Sequence, residues 1–137
     1  MVKPCIFCAI AKRELPAHFV LEDDLCIAFL DKTPLFHGHL LVVPRAHVVT
    51  LSDLPADAVG PLFTRVQALA RTVQSALGAE GTFVALNNVV SQSVPHLHVH
   101  VVPRTKGDGL KGFFWPRTRY VDDAAMAAVA ATIRAAL

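Results

Sequence analysis

The run "PHLHVHVV", residues 95–102, constrains the fold of this chain more than any other stretch. His96, His98 and His100 alternate in it with Leu97, Val99 and Val101. A two-residue period built on β-branched and branched apolar residues predicts a strand, whose successive side chains point to opposite faces. One face then carries Leu97, Val99 and Val101 into a core, and the other carries three imidazoles. Pro103 has no N–H for a sheet ladder, so it is expected to end the strand or to lie on an edge.

The remaining elements follow from local patterns. Residues 5–14 predict a short helix closed by Pro16. Residues 18–22 and 25–31 predict two strands around the turn Glu22-Asp23-Asp24, and "HLLVVP", 39–44, a third. Ser52 or Asp53 is placed to cap a long helix with Pro55 in its first turn and Gly78 just past its end. Leu54, Val59, Leu62, Val66, Leu69, Val73 and Leu77 form its apolar stripe. Residues 82–88 and 97–102 predict the last two strands, and Asp122 caps a helix over 123–136. Three strands, one long helix and two strands, joined mostly by short connections, make an α+β fold with a mainly antiparallel five-stranded sheet. A short N-terminal helix and a C-terminal helix complete it.

Composition sets outer bounds. The 137 residues suit one domain, 1–137, and 53% apolar against 18% charged residues argues against disorder. A net charge of +2 on scattered basic residues gives no footprint for nucleic acid. No run reaches eighteen uncharged apolar residues, and charges interrupt the N-terminal stretch early. Three cysteines, an odd number, fit a reducing compartment better than a disulfide framework. The expectation is a cytoplasmic protein that engages neither nucleic acid nor membrane.

The histidine face admits three readings: a polar outer surface, a metal site, or phosphate chemistry. Three histidines on one strand span too far to converge easily on one ion, since metal sites usually recruit several elements. A neutral imidazole is a nucleophile toward phosphorus, and a neighbour can hold an anion or pass a proton. Cys5 and Cys8 form C-x-x-C, which reads as a redox pair, as two small core residues, or as half of a closed zinc site. Cys26, inside a predicted strand, reads as core. Asp31 reads as a turn aspartate before "KTP" or as a ligand to a diol.

The pattern "HLHVHVV" resembles the signature of the histidine triad family of nucleotide hydrolases and transferases. "CIFCAI", "EDDLCIAFLD", "GHLLVVPRAHV" and "NNVVSQSVPHLHVHVVPR" also resemble the family's segments in their order and approximate spacing. The resemblance implies a HIT-like fold and cleavage at the α-phosphate of nucleoside phosphoramidates or dinucleoside polyphosphates through a covalent nucleotidyl-histidine. It assigns the nucleophile to His98, with the His96 carbonyl on its far ring nitrogen. Phosphate or leaving-group contacts fall to His100, Ser93 and Gln92. Asp31 would hold the ribose, and Ile6, Phe7, Ile27 and Phe29 would flank a purine base. Asn87 or Asn88 and His39 would lie near the ribose and phosphate. Cys5, Cys8, His47 and His96 would hold a structural Zn(2+), and the protein would act as a homodimer.

One departure stands out. The link between asparagine and triad, "NNVVSQS", contains no glycine and is about two residues shorter than the family's usual one. His37 and His18 read as surface. Trp115 could cover the site or a dimer edge, and Arg104, Lys106, Lys111 and Arg117 could meet a polyphosphate tail. Two other functions compete: a non-catalytic nucleotide-binding or protein-interaction module of the same fold, and a zinc enzyme with a metal-activated water. The intact "HLHVH" disfavours the first, since binding needs no nucleophile. Closure by two thiolates and two imidazoles disfavours the second, since it leaves no open metal position.

Overall fold

The computed structural model describes residues 4–110 and 117–137. Five strands form one sheet: β1 (Phe19–Glu22), β2 (Cys26–Leu30), β3 (Leu40–Pro44), β4 (Gly81–Ala85) and β5 (Val99–Arg104). Their spatial order is β1-β2-β3-β5-β4, and every neighbouring pair is antiparallel. Three α-helices accompany them: α1 (Ile6–Ala11), α2 (Ala56–Ala76) and α3 (Asp123–Ala136). This is the α+β architecture that the alternation and the long apolar stripe predict.

Both faces of the central strands are covered, which is why "CIAFL" and "LLVVP" read as unbroken apolar runs. On one face Cys26, Ala28, Leu40, Val42, Leu97, Val99 and Val101 pack against Leu62, Val66, Leu69 and Val73 of α2. Burying each of those four helix side chains contributes about 1.5–3 kcal/mol, so this seam is the main hydrophobic core. On the other face Ile27, Phe29, Leu41 and Val43 pack under Phe7 of α1. The histidines fall on this second face, where α1 lies.

Several boundaries differ from the sequence reading for local reasons. Helix α1 ends well before Pro16. Arg13 takes a left-handed φ of 63°, its N–H donates to the Ile10 carbonyl, and the Glu14 N–H donates to the Ala9 carbonyl. That pair of bonds is a Schellman termination built without glycine. The Thr50–Asp53 capping box closes a 3-10 turn, Leu51–Asp53, and α2 begins only after Pro55. Gly78 does sit just past α2 at φ 65°, with the Ala79 N–H on the Gln74 carbonyl. Leu77 is 54% exposed and leaves the stripe at that end. Strand β4 stops at Ala85.

Pro103 does not stop β5, which runs on to Arg104 beside β4. The Glu80 N–H donates to the Arg104 carbonyl, so Arg104 turns its backbone groups toward β4. Pro103, one residue back, turns toward the other side, where pairing with β3 has already ended at Leu40↔Val101. The missing N–H therefore costs no ladder bond. Helix α3 is capped by the Asp122 side chain at the Ala125 N–H, and none of its residues is buried. Met126, Val129 and Ile133 line it as exposed apolar residues. No helix among the described residues is long and apolar enough to cross a membrane.

Gly38 joins the loop after Asp31 to His39 and β3. Its φ is +100°, and a Cβ there would meet Leu77 Cδ1 at 2.2 Å and Pro103 Cγ at 3.4 Å. Leu77 is exposed enough to move, so the backbone conformation dominates. Gly38→Ala should destabilise the fold by about 1–3 kcal/mol, read by urea unfolding. An unchanged midpoint and slope would contradict this role.

Candidate active site

Three histidines precede or open β5, and each has one ring nitrogen fixed by an internal partner. His96 and His98 lie just before the strand begins at Val99, yet the alternation continues through them. The Leu97 N–H donates to the Val48 carbonyl at 2.7 Å, which pins this approach segment to the chain leaving β3.

His96 is fully buried. Its Nε2–H donates to the Pro44 carbonyl at 2.8 Å, which leaves a lone pair on Nδ1. Nδ1 points at Cys5 Sγ (3.3 Å), Cys8 Sγ (3.6 Å) and His47 Nδ1 (3.2 Å), and Cys8 Sγ lies 3.3 Å from His47 Nδ1. A tetrahedral zinc with bonds of about 2.0–2.3 Å has ligand-to-ligand edges of about 3.3–3.8 Å. Cys5, Cys8, His47 and His96 therefore present a donor set and spacing that fit zinc. Burial and the neighbouring Cys5 push the Cys8 thiol up, so a cation entering this cluster must displace protons. Burial pushes His96 down and keeps its ring neutral, as a ligand must be.

His98 is 4% exposed. Its Nδ1–H donates to the His96 carbonyl at 2.7 Å. Nε2 has no hydrogen-bond partner among the described residues. No side-chain nitrogen or oxygen there is both sealed from solvent and unpaired, so Nε2 reaches the solvent side. In the neutral ring that atom carries the lone pair. The Phe7 ring stands edge-on to His98, with centroids 5.1 Å apart.

His100 is set by a chain of two bonds. The Leu35 N–H donates to His39 Nδ1 at 3.0 Å, so the remaining His39 proton sits on Nε2. That N–H donates to His100 Nδ1 at 2.9 Å, which places the His100 proton on its own Nε2. Burial lowers His39, and burial together with His98 and His39 lowers His100 to about 4. At neutral pH His100 is thus an uncharged N–H donor beside His98, their ring centroids 5.1 Å apart. His39 itself is buried.

Asp31, His39 and His100 form a second cluster of metal-ligating residues. Its bonds oppose a metal. A cation on His39 Nε2 would force the proton to Nδ1, against the Leu35 N–H. Asp31 serves a turn and the site together. Its Oδ1 accepts the Thr33 N–H at 2.9 Å, while Oδ2 faces His39 Nε2 at 3.8 Å.

The other expected contacts divide. Ile6 is 47% exposed, Phe7 and Phe29 are buried against each other edge-to-face, and together they make an apolar wall beside His98. Ile27 is wholly buried beneath this wall and belongs to the core, not to a ligand surface. Ser93 is exposed just ahead of the triad. Gln92 is held by backbone on both sides, with one of its two amide N–H groups remaining: its Nε2 donates to the Val49 carbonyl at 2.6 Å, and its Oε1 accepts the Val89 N–H at 3.2 Å. It clamps a loop in which Val89 (φ 68°) and Ser91 (φ 62°) are left-handed, which is how the short glycine-free link closes. Asn88 Oδ1 holds the Leu51 N–H, and Asn87 Nδ2 holds the Ser91 carbonyl, so both asparagines brace the same loop. Cys26 is core, with its thiol pushed up to about 11 by burial. His18 and His37 are exposed. Arg104 is engaged by Asp108 and the Leu110 carbonyl rather than free for a polyphosphate. Trp115 and Lys111 lie outside the described residues. The Leu35 amide, the Pro44 carbonyl and the Gln92 clamp are site features the sequence reading missed; none has a side-chain pattern to reveal it.

The HIT domain model matches residues 12–107. The chain belongs to the histidine triad (HIT) family, whose fold and histidine cluster it carries. It is 34% identical over 108 residues to adenylylsulfatase HINT3 of Arabidopsis thaliana, covering 77% of this chain and 55% of that one. It thus spans little more than half that relative's length. It is 33% identical over 114 residues to adenosine 5'-monophosphoramidase hnt1 of Schizosaccharomyces pombe, covering 82% and 83%. Among solved structures, a HIT family member from Bacillus subtilis superposes with a TM-score of 0.90 at 28% identity over 98% of both chains. A zinc-bound histidine triad protein from Mycobacterium smegmatis superposes at 0.74 with 34% identity, covering 93% and 96%. Relatives named as hydrolases place nucleotide hydrolysis at the level of the family.

A lowered histidine binds its proton more weakly in the folded than in the unfolded chain. His100 should therefore draw stability down as pH falls from about 6.5 toward about 4. Nitrogen-15 NMR should find the His100 ring neutral, with its proton on Nε2, at every pH above 5. A titration midpoint above 6, or a proton on Nδ1, would contradict the relay from Leu35.

Proposed function

We propose that the chain is a nucleotide hydrolase or transferase that cleaves at the α-phosphate through a nucleotidyl intermediate on His98. One observation carries the reading. The His98 Nδ1–H is tied to the His96 carbonyl, so the neutral ring turns its Nε2 lone pair toward solvent beside the His100 N–H. A nucleophile and an uncharged donor side by side suit a tetrahedral phosphorus with anionic oxygens.

In the first step Nε2 attacks phosphorus and the leaving group departs with the bonding pair. The His98 ring gains positive charge, and the His96 carbonyl dipole offsets it through the Nδ1–H bond. His100 holds a non-bridging oxygen. In the second step water attacks phosphorus and the N–P bond breaks. Over both steps one water is consumed: its hydroxyl stays on phosphorus and its second proton ends on the leaving group. The apolar wall of Ile6, Phe7 and Phe29 suits a flat purine, and Asp31 Oδ2 suits a ribose hydroxyl. Nucleoside phosphoramidates and dinucleoside polyphosphates both meet these requirements, and the relative named as a monophosphoramidase favours the first.

Zinc in the Cys5, Cys8, His47 and His96 cluster would tie α1 to the triad segment and hold His96 in place, a structural role. Among the described residues β4 is an outer strand of the sheet, Val84 is 41% exposed, and the apolar residues of α3 are exposed, which suits a homodimer.

His98→Ala should lower kcat by about a thousandfold or more and leave the dissociation constant for nucleoside monophosphate within about threefold. Circular dichroism and melting on the same variant report whether the fold survives. Turnover within tenfold of wild type in a folded variant would reject covalent catalysis at this ring.

A further inference from the structure

Cys5 and Cys8 have a geometry that a pair of ligands does not require. Cys5 is the N-cap of α1 and Cys8 lies three residues on, its N–H 3.5 Å from Cys5 Sγ. Helix rise and radius put Cα atoms three residues apart at about 5 Å, inside the window of about 4.4–6.8 Å for a disulfide. The two sulfurs lie within 4.8 Å of each other. Both residues are half-buried and their neighbour His47 is exposed, whereas Cys26 is sealed at 0%. A small oxidant from solvent therefore meets this thiol pair and not the core thiol.

The pair is one residue removed from the nucleophile. The His96 ring rests against both sulfurs, and the His96 carbonyl holds His98 Nδ1–H. Whatever moves the ring of His96 works on the bond that orients His98.

We propose that Cys5 and Cys8 are a reversible oxidation site, at which a hydroperoxide forms a Cys5–Cys8 disulfide, frees the His96 ring and slows the reaction at His98. The chemistry balances. One sulfur, its proton given up, attacks the peroxide as thiolate; the O–O bond breaks, a sulfenic acid forms, and the departing hydroxide takes up that proton to leave as water. The second thiol attacks the sulfenic sulfur, the S–S bond forms and a second water leaves. Two thiols lose two electrons in all, and one hydrogen peroxide becomes two waters; where a cation holds the pair as thiolates, solvent supplies the two protons. Neither sulfur of the disulfide is a thiolate, so a cation held by the cluster loses two of its four ligands and leaves. A thiol reductant restores the pair. The effect on turnover rests on the role proposed for His98; the oxidation itself does not.

The test uses the full chain purified with zinc supplied and treated with one equivalent of hydrogen peroxide. Intact mass should fall by two hydrogens, and peptide mapping should find Cys5 joined to Cys8. A chromogenic chelator should register released zinc, and turnover should drop about tenfold; dithiothreitol with zinc should reverse all three. The His98 Nδ1–H proton resonance should shift or broaden on oxidation, whether or not a substrate is known. Sulfinic or sulfonic acid in place of the disulfide, or no reaction at these residues, would overturn the proposal. A disulfide that left the His98 resonance unchanged would overturn the coupling. Protein that carries no zinc before treatment yet forms the disulfide would reject the metal reading alone, and absent turnover before treatment the catalytic reading alone.

Discussion

The site depends on one residue used twice. His96 places its ring between the Pro44 carbonyl and the thiol cluster, and its own carbonyl accepts the proton of His98. A buried imidazole with both nitrogens in hydrogen-bonding positions has little freedom to rotate, and it anchors the Cα from which the His96 carbonyl extends. The same logic repeats along the segment. His96 keeps a lone pair for the sulfur cluster, His98 keeps one for solvent, and His100 keeps a proton. Three identical side chains acquire three chemistries from three partners: two backbone carbonyls, of Pro44 and His96, and the His39 ring.

The fold makes this possible by covering the sheet twice. Helix α2 buries Leu97, Val99 and Val101 on one face, which fixes the register of the strand that carries the histidines. On the other face Phe7 of α1 makes T-shaped ring contacts with His96, His98 and Phe29. The short α1 buries little area by itself. Its attachment relies on Phe7 and on the cluster formed by Cys5 and Cys8, which places the N-terminal segment and the reacting histidine under one constraint. Burial also explains why His39 and His100 resist protonation: each loses hydration, and this outweighs the nearby Asp31 carboxylate, which pulls the other way.

Much of this was legible in the residues. Period-two alternation placed Leu97, Val99 and Val101 in the core and the histidines opposite, because strand geometry leaves no other choice. The stripe from Leu62 to Val73 gave the long helix and its buried face. What stayed hidden depends on backbone groups, which every residue has. Nothing in "TPLFHGH" signals that the Leu35 amide sets the proton on His39. Nothing in "NNVVSQS" signals that Gln92 braces a left-handed Val89. Ile27 was misplaced because a strand covered on both faces does not reveal which apolar side chains line a pocket and which lie beneath it. Pro103 takes the second of its two expected placements: β5 runs through it, and its nitrogen side faces a local edge where pairing with β3 has already ended.

The central claim is that His98 Nε2 forms a bond to phosphorus during turnover. Rapid quenching in base during reaction with adenosine phosphoramidate, followed by peptide mapping, measures this directly, because phosphorus–imidazole bonds survive in base. The account predicts one nucleoside monophosphoryl group per chain, on His98, appearing and decaying at rates that match turnover. Turnover with no such adduct, or with the adduct on another residue, would contradict it.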